Sequence, residues 1–230
     1  EELMKKKQPE MEKLIQEKQK EIELYMKEKQ LDFNTITPDS KSVIHLEVYN
    51  DSDAPFVVKA KDMPTFLKFQ NGNTPIAPKS AGKISVELNA KDAGYGIFNG
   101  KFFIISEGKP YEFPYSFRVL DDFSTLSEAD RAKAGKINFS SKELVFNKTK
   151  ECVLKFSNSG KSDLKIKAIQ SDNSAVKVYP TVLTVKPNEI KEVKVIWDTK
   201  KQKTAFESTL TVFSDDPKNQ VSKVKVKAIR

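Results

Sequence analysis

The sequence predicts a mostly β chain: two tandem immunoglobulin-like β-sandwich domains behind an N-terminal amphipathic α-helix. Three observations carry this. The apolar period changes from 3.6 to 2 at Leu31. Short alternating runs are then separated by clusters of Asn, Asp, Gly and Pro. The second half of the chain repeats the first at a nearly constant offset.

The helix comes first, over residues 1–30. Met4, Met11, Leu14, Ile15, Ile22, Tyr25 and Met26 fall on one stripe, and Lys, Glu and Gln fill the rest. Pro9 suits a first helical turn, so the helix is expected over about 10–30. Such a helix is marginal alone, and its stripe needs a surface. That surface is expected to be the following domain, a neighbouring domain or a second chain. Lys18 interrupts the seam that a coiled-coil dimer would use.

Residues 31–122 form the first predicted sandwich. Val43–Tyr49, Lys83–Leu88, Lys101–Ile105 and Phe113–Val119 alternate as half-buried strands do. Residues 123–136 read as a linker with a short helix, because Ser127 is a good N-cap before Glu128-Ala129-Asp130-Arg131-Ala132. Residues 137–230 form the second sandwich. His45–Ser52 lines up with Val153–Gly160, and Phe56-Val57-Val58 with Leu164-Lys165-Ile166. Pro78 precedes its strand as Pro187 does, and Phe98–Ser106 matches Phe206–Ser214. One offset held over four strands is a tandem repeat. About 100 residues with some seven short strands is immunoglobulin-like in size. Asn158 and Gly160 suit a turn, Asp216-Pro217 starts another, and Trp197 is in phase with Val193 and Val195 as a core residue.

Composition narrows the chemistry. The 230 residues are 38% hydrophobic and 31% charged, which permits packed cores but offers no run long enough for a membrane helix. The net charge is +8. Residues 1–31 hold 8 Lys and 8 Glu, net 0; residues 32–122 hold 10 basic and 12 acidic, net −2; residues 123–230 hold 22 and 12, net +10. The excess belongs to the last segment. Cys152 is the single cysteine, so neither an internal disulfide nor a cysteine zinc site is available. It reads as a buried, inert thiol in register with Leu154 and Phe156. His45 is the single histidine and alternates with Ile44 and Leu46, which points it outward. No nucleophile–base pair, carboxylate dyad or metal-ligand spacing stands out, so no catalytic, cofactor-binding or metal residue is assigned and no enzyme is expected.

One surface merits a binding hypothesis. Alternation sends Lys223, Lys225 and Lys227 outward from the last strand, Lys165 and Lys167 from residues 163–169, and Thr209, Thr211 and Phe213 from residues 206–214. In an immunoglobulin-like sandwich these strands share a sheet. The expected result is a basic, Thr-lined face with one exposed aromatic, suited to an anionic polymer or an acidic protein. Lysines on strands also keep sheet edges from pairing with other chains. Nucleic acid is not expected, since arginine is confined to Arg118, Arg131 and Arg230.

The order Asn158-Ser159-Gly160, Leu164-Lys165-Ile166, Val185-Lys186-Pro187-Asn188-Glu189 and Ser214-Asp215-Asp216-Pro217 resembles the ASH/Hydin-like domain, kin to major sperm protein and to periplasmic pilus chaperones. It is most similar to a bacterial, largely Bacteroidetes, domain-of-unknown-function family that carries a Cys-Gly-Cys motif. Leu31-Asp32-Phe33-Asn34-Thr35-Ile36 is similar to that family's first strand. Here the equivalent of the motif, Gln170–Val176, has no cysteine, so no metal or redox role carries over. The resemblance implies a non-catalytic structural or protein-interaction module of the bacterial cell envelope, periplasmic or extracytoplasmic, with a protein or anionic polymer as partner. The chain begins at Glu1 without Met and shows no leader, and reads as a processed or truncated form. The alternatives are a pilus-type chaperone, needing a basic anchor such as Arg118 or Arg131, and a carbohydrate-binding module, needing exposed aromatics such as Tyr95, Tyr111 and Tyr115.

Overall fold

A computed structural model describes residues 30–70, 74–106, 109–147 and 149–229. The expected helix over 1–30 lies outside the described residues apart from Gln30. The described chain is mostly β and divides into two compact units. One takes the chain up to Ala93 together with Ile97–Arg118, and the other takes Gly94–Gly96 with Val119–Arg230.

The first unit contains β1 (Leu31–Ile36), β2 (Lys41–Asn50), β3 (Lys59–Lys61), β4 (Leu67–Gln70), β5 (Ser80–Asn89), the single turn α1 (Ala90–Ala93), β6 (Gly96–Ser106) and β7 (Lys109–Val119). One sheet has the order β1-β7-β6-β3 and the other β2-β5-β4. β2 and β5 pair antiparallel from Lys41↔Asn89 to Asn50↔Ser80. Leu46, Val48, Ile84, Val86 and Leu88 are buried between them and the core, while His45 and Glu47 face out as their alternation predicts. Phe98 stacks on Phe117 at 4.7 Å, and Phe66 meets both rings and Tyr115.

The second unit contains α2 (Glu128–Lys133), β8 (Ile137–Phe139), β9 (Glu143–Asn147), β10 (Glu151–Asn158), β11 (Leu164–Ser171), β12 (Val176–Tyr179), β13 (Leu183–Val185), β14 (Ile190–Trp197), β15 (Phe206–Ser214) and β16 (Val221–Ile229). The Ser127 hydroxyl accepts from the Asp130 amide at 3.1 Å, the N-cap that the sequence signals. The sheets run β12-β14-β10-β8 and β13-β11-β15-β16-β9. Both contribute to one core, with Leu154, Phe156, Val193 and Val195 from one and Leu164, Ile166, Leu210, Val224 and Val226 from the other. Trp197 is in that core, as its phase predicts; its indole donates to the Gln202 carbonyl at 2.8 Å and packs near Phe146 and Phe206. β8 pairs antiparallel with β10, whereas β9 pairs parallel with β16. Residues 140–142 therefore carry the chain from one sheet to the other.

A buried asparagine recurs in both units. Asn158 is 1% exposed, yet all four of its hydrogen-bonding positions are used. Its Oδ1 accepts from the Lys136 and Gly160 amides, and its Nδ2 donates to the Ser162 and Val185 carbonyls, at 2.8–3.0 Å. Asn50, also 1% exposed, accepts from the Ser52 amide and donates to the Ala54, Ile76 and Ala77 carbonyls. Offsets of 108 and 109 relate Asn50 to Asn158, Ala54 to Ser162 and Ile76 to Val185. The turn after Pro78 and Pro187 also recurs, with positive φ at Lys79 (49°) and Asn188 (62°). Gly160 has another role. A Cβ there would come within 2.7 Å of Gly135 Cα and the Lys136 nitrogen, so glycine is required by close approach of two segments.

Asp216 is the second buried polar anchor, 1% exposed. Its carboxylate accepts from the Ile137, Lys218 and Asn219 amides and from the Asn219 side chain. The carboxylate thus caps its own turn and holds the start of β8. Replacing Asn158 with Ala strands two amides and two carbonyls, and is expected to cost about 2–4 kcal/mol. Urea unfolding of the second-unit transition should show a lower midpoint with unchanged slope; an unshifted midpoint contradicts the anchor.

Candidate functional site: a basic sheet face on the second unit

β11, β15 and β16 do lie in one sheet. The register sets Thr211 opposite Lys223, Thr209 opposite Lys225 and Glu207 opposite Lys227, and directly opposed residues share a face. Lys223 and Lys225 are exposed, Lys227 is half-buried, and the intervening Val224, Val226 and Ala228 are buried. Thr209 and Thr211 are half-buried.

Three expected members behave differently. Phe213 is 1% exposed, so it is not an exposed aromatic on this face. It stays out of the unit's core cluster and pairs with Ala168, which keeps it on the predicted side. That end of the face is covered. The register between β11 and β15 breaks between Ile166 and Ala168, and Lys167 sits in this bulge beneath Tyr95. Lys167 Nζ lies 4.7 Å from the Tyr95 ring centre, 3.1 Å from its hydroxyl and 3.7 Å from Asp121 Oδ2. It is therefore an internal partner rather than a free charge. Lys227 pairs with Glu143 at 2.8 Å and Glu207 at 3.5 Å, which holds the Glu143 carboxyl below its ordinary range and Lys227 above its own. Lys165 remains exposed, and its backbone amide donates to Asp215 Oδ1 at 2.7 Å.

The sequence reading missed this acidic flank. The Tyr95 hydroxyl donates to Asp121 Oδ1 at 2.6 Å, while Asp121 Oδ2 is buried and, among the described residues, has no hydrogen bond and only the longer ion pair to Lys167. Asp215 is half-buried, and burial pushes its pKa up against the smaller opposing pull of the Lys165 amide and nearby lysines. Such a group binds protons more tightly folded than unfolded. It therefore weakens stability as pH rises from about 4, the unfolded value, through its higher folded value.

Other candidate groups are used internally. Arg131 donates to the carbonyls of Phe123 and Leu126, so it is not a free chaperone-type anchor. Tyr95 is engaged as described, and Tyr115 lies in the ring cluster with Phe66 and Phe117. Cys152 is partly buried against the core; its thiol donates to the Val145 carbonyl at 3.3 Å, and burial raises its pKa. His45 lies in the other unit and bonds Ser85 Oγ at 2.7 Å through Nδ1. No group of three or more His, Cys, Asp or Glu among the described residues is arranged to hold a metal.

A family model described as a protein of unknown function (DUF1573) matches residues 132–229, less than half of the chain. Curated proteins give no match. A crystal structure of a protein of unknown function from Porphyromonas gingivalis W83 is 17% identical, with 89% of this chain and 98% of that one covered and a TM-score of 0.57. That likeness supports the fold. The CupB2 chaperone of Pseudomonas aeruginosa aligns at 14% identity over 88% of this chain and 98% of its own, with a TM-score of 0.30. WR4, an MSP family member of C. elegans, aligns at 14% over 42% and 98%, with a TM-score of 0.33. At those scores neither bears on function.

Replacing Asp215 with Asn keeps an acceptor for the Lys165 amide and removes the titration. The variant is expected to gain stability relative to the parent as pH rises from about 3 to 7. Paired thermal melts across that range check the sign, and a variant-minus-parent Tm difference that falls as pH rises contradicts it.

Proposed function

We propose that the chain is a non-catalytic structural or protein-interaction module of the bacterial cell envelope. In this reading residues 31–122 and 137–230 are two copies of one immunoglobulin-like domain, joined by 123–136. The recurrence of the Asn50 arrangement at Asn158 supports the repeat. The envelope assignment rests on the resemblance of the turn order to an extracytoplasmic bacterial family. No helix of the described residues is long and apolar enough to cross a membrane.

One observation carries the binding role. Lys223 and Lys225 are exposed, side by side with Thr211 and Thr209; neither is in a close ion pair among the described residues, although Lys225 lies opposite Glu143 and its charge helps to lower that carboxyl's pKa. Exposed cations on an ordered sheet attract an anionic partner and steer its approach. The active part of the face is thereby reduced from the eight residues read in the sequence to Lys165, Lys223 and Lys225 with the two threonines. A pilus-type chaperone or a carbohydrate-binding module is less well supported, since Arg131 and the candidate tyrosines Tyr95 and Tyr115 are occupied internally.

Immobilised polyglutamate is the probe. Binding is expected to weaken by about tenfold or more as salt rises from about 0.05 to about 0.5 M. Changing Lys223 and Lys225 together to Ser is expected to remove most of it at low salt. Salt-independent binding, or an unaffected double variant, contradicts the proposal.

A further inference from the structure

The crossing of residues 140–142 between sheets opens a cleft of about 410 Å³ on the second unit. Asn138 and Phe139 of β8 line one side, Lys142 stands at the crossing, and Asn219, Ser222 and Lys223 line the other. Lys142 is exposed and has no acidic partner among the described residues. The cleft adjoins the basic face, because Lys223 belongs to both.

The backbone of β16 decides what the cleft can hold. β9 pairs with β16 only from Lys225↔Glu143 onward. Among the described residues, Val221–Lys223 therefore has β15 on one side and no strand on the other. The Lys225 amide points to the β9 side, where it donates to the Lys142 carbonyl at 2.8 Å. Strand alternation turns the Lys223 N–H and C=O the same way, into the cleft. An open strand edge with its donor and acceptor free recognises an extended peptide backbone. The flanking Lys142 and Lys223 select acidic side chains along that peptide and repel a second copy of this basic edge.

We propose that the cleft between β8 and the start of β16 captures an extended acidic segment of a partner protein. The segment adds a short strand beside Val221–Lys223 and sets its carboxylates against Lys142 and Lys223. This rests on the reading of the basic face and sharpens it from any polyanion to a peptide. A sugar polymer offers the charge without the alternating backbone donors and acceptors.

The test uses the full chain and a fluorescent peptide of about ten residues alternating Glu and Val, read by anisotropy. Lys142→Ser is expected to weaken binding about fivefold. Methylating alternate backbone nitrogens of the peptide, with its carboxylates intact, is expected to weaken binding by about tenfold or more in the register that pairs with β16. Polygalacturonate, a carboxylated glycan, is expected to compete only weakly. If the methylated peptides in both registers bind like the parent, and Lys142→Ser has no effect, the strand-capture proposal is wrong. Loss on Lys225→Ser in that same experiment would leave the broader face reading standing. Failure of both the acidic peptide and polyglutamate to bind would overturn both.

Discussion

The start of β8 is held by two buried polar side chains, and the second unit depends on that clamp. Asn158 accepts the Lys136 amide and Asp216 accepts the neighbouring Ile137 amide, each at 3.0 Å. Burying an amide and a carboxylate is costly unless every lone pair and proton finds a partner. Here each is multiply bonded, so the arrangement is unforgiving of displacement. Through Asn158, the entry to β8 is tied to the carbonyls of Ser162 and Val185. Through Asp216, it is tied to the turn between β15 and β16. A side chain at Gly160 would meet the backbone of Ala134–Lys136, and one at Gly135 the backbone of Asp163 and Leu164.

The functional geometry follows from this constraint. With β8 fixed beside β10, the chain must cross to the other sheet at residues 140–142 before it can pair with β16. It arrives opposite Lys225, which leaves the first residues of β16 open. The cleft is thus a by-product of the strand changing sheets. Its charge comes from Lys142 and Lys223, which are in no ion pair among the described residues, whereas Lys227, further along β16, is neutralised by Glu143 and Glu207. The net charge of the segment overstates the charge that a partner meets.

Much of this was legible in the sequence. Strict alternation located β2, β5, β10, β14 and β16 and correctly placed Lys223 and Lys225 outside. A constant offset exposed the equivalence of Asn50 and Asn158, although their hydrogen bonds needed coordinates. The failures have physical causes. Alternation reports the side on which a residue lies, not what covers it, so Phe213 was expected in solvent although its side was right. It also assumes unbroken pairing, and the bulge after Ile166 delivers Lys167 to Tyr95 and Asp121, partners 72 and 46 positions away in the chain. Asp216 read as a turn residue because its bond to Ile137 spans 79 positions. Lys142 carried no periodic signal, since it lies between strands at the crossing.

Amide hydrogen exchange of the full chain, with and without the acidic peptide, tests the account most directly. The Lys136, Ile137 and Gly160 amides are predicted to exchange slowly in both conditions, because Asn158 and Asp216 hold them. The Lys223 amide is predicted to exchange quickly in the free protein and slowly once the peptide is bound. A Lys223 amide whose rate is the same in both conditions, with peptide demonstrably bound, would contradict strand capture. Rapid exchange at Lys136 and Ile137 would contradict the clamp.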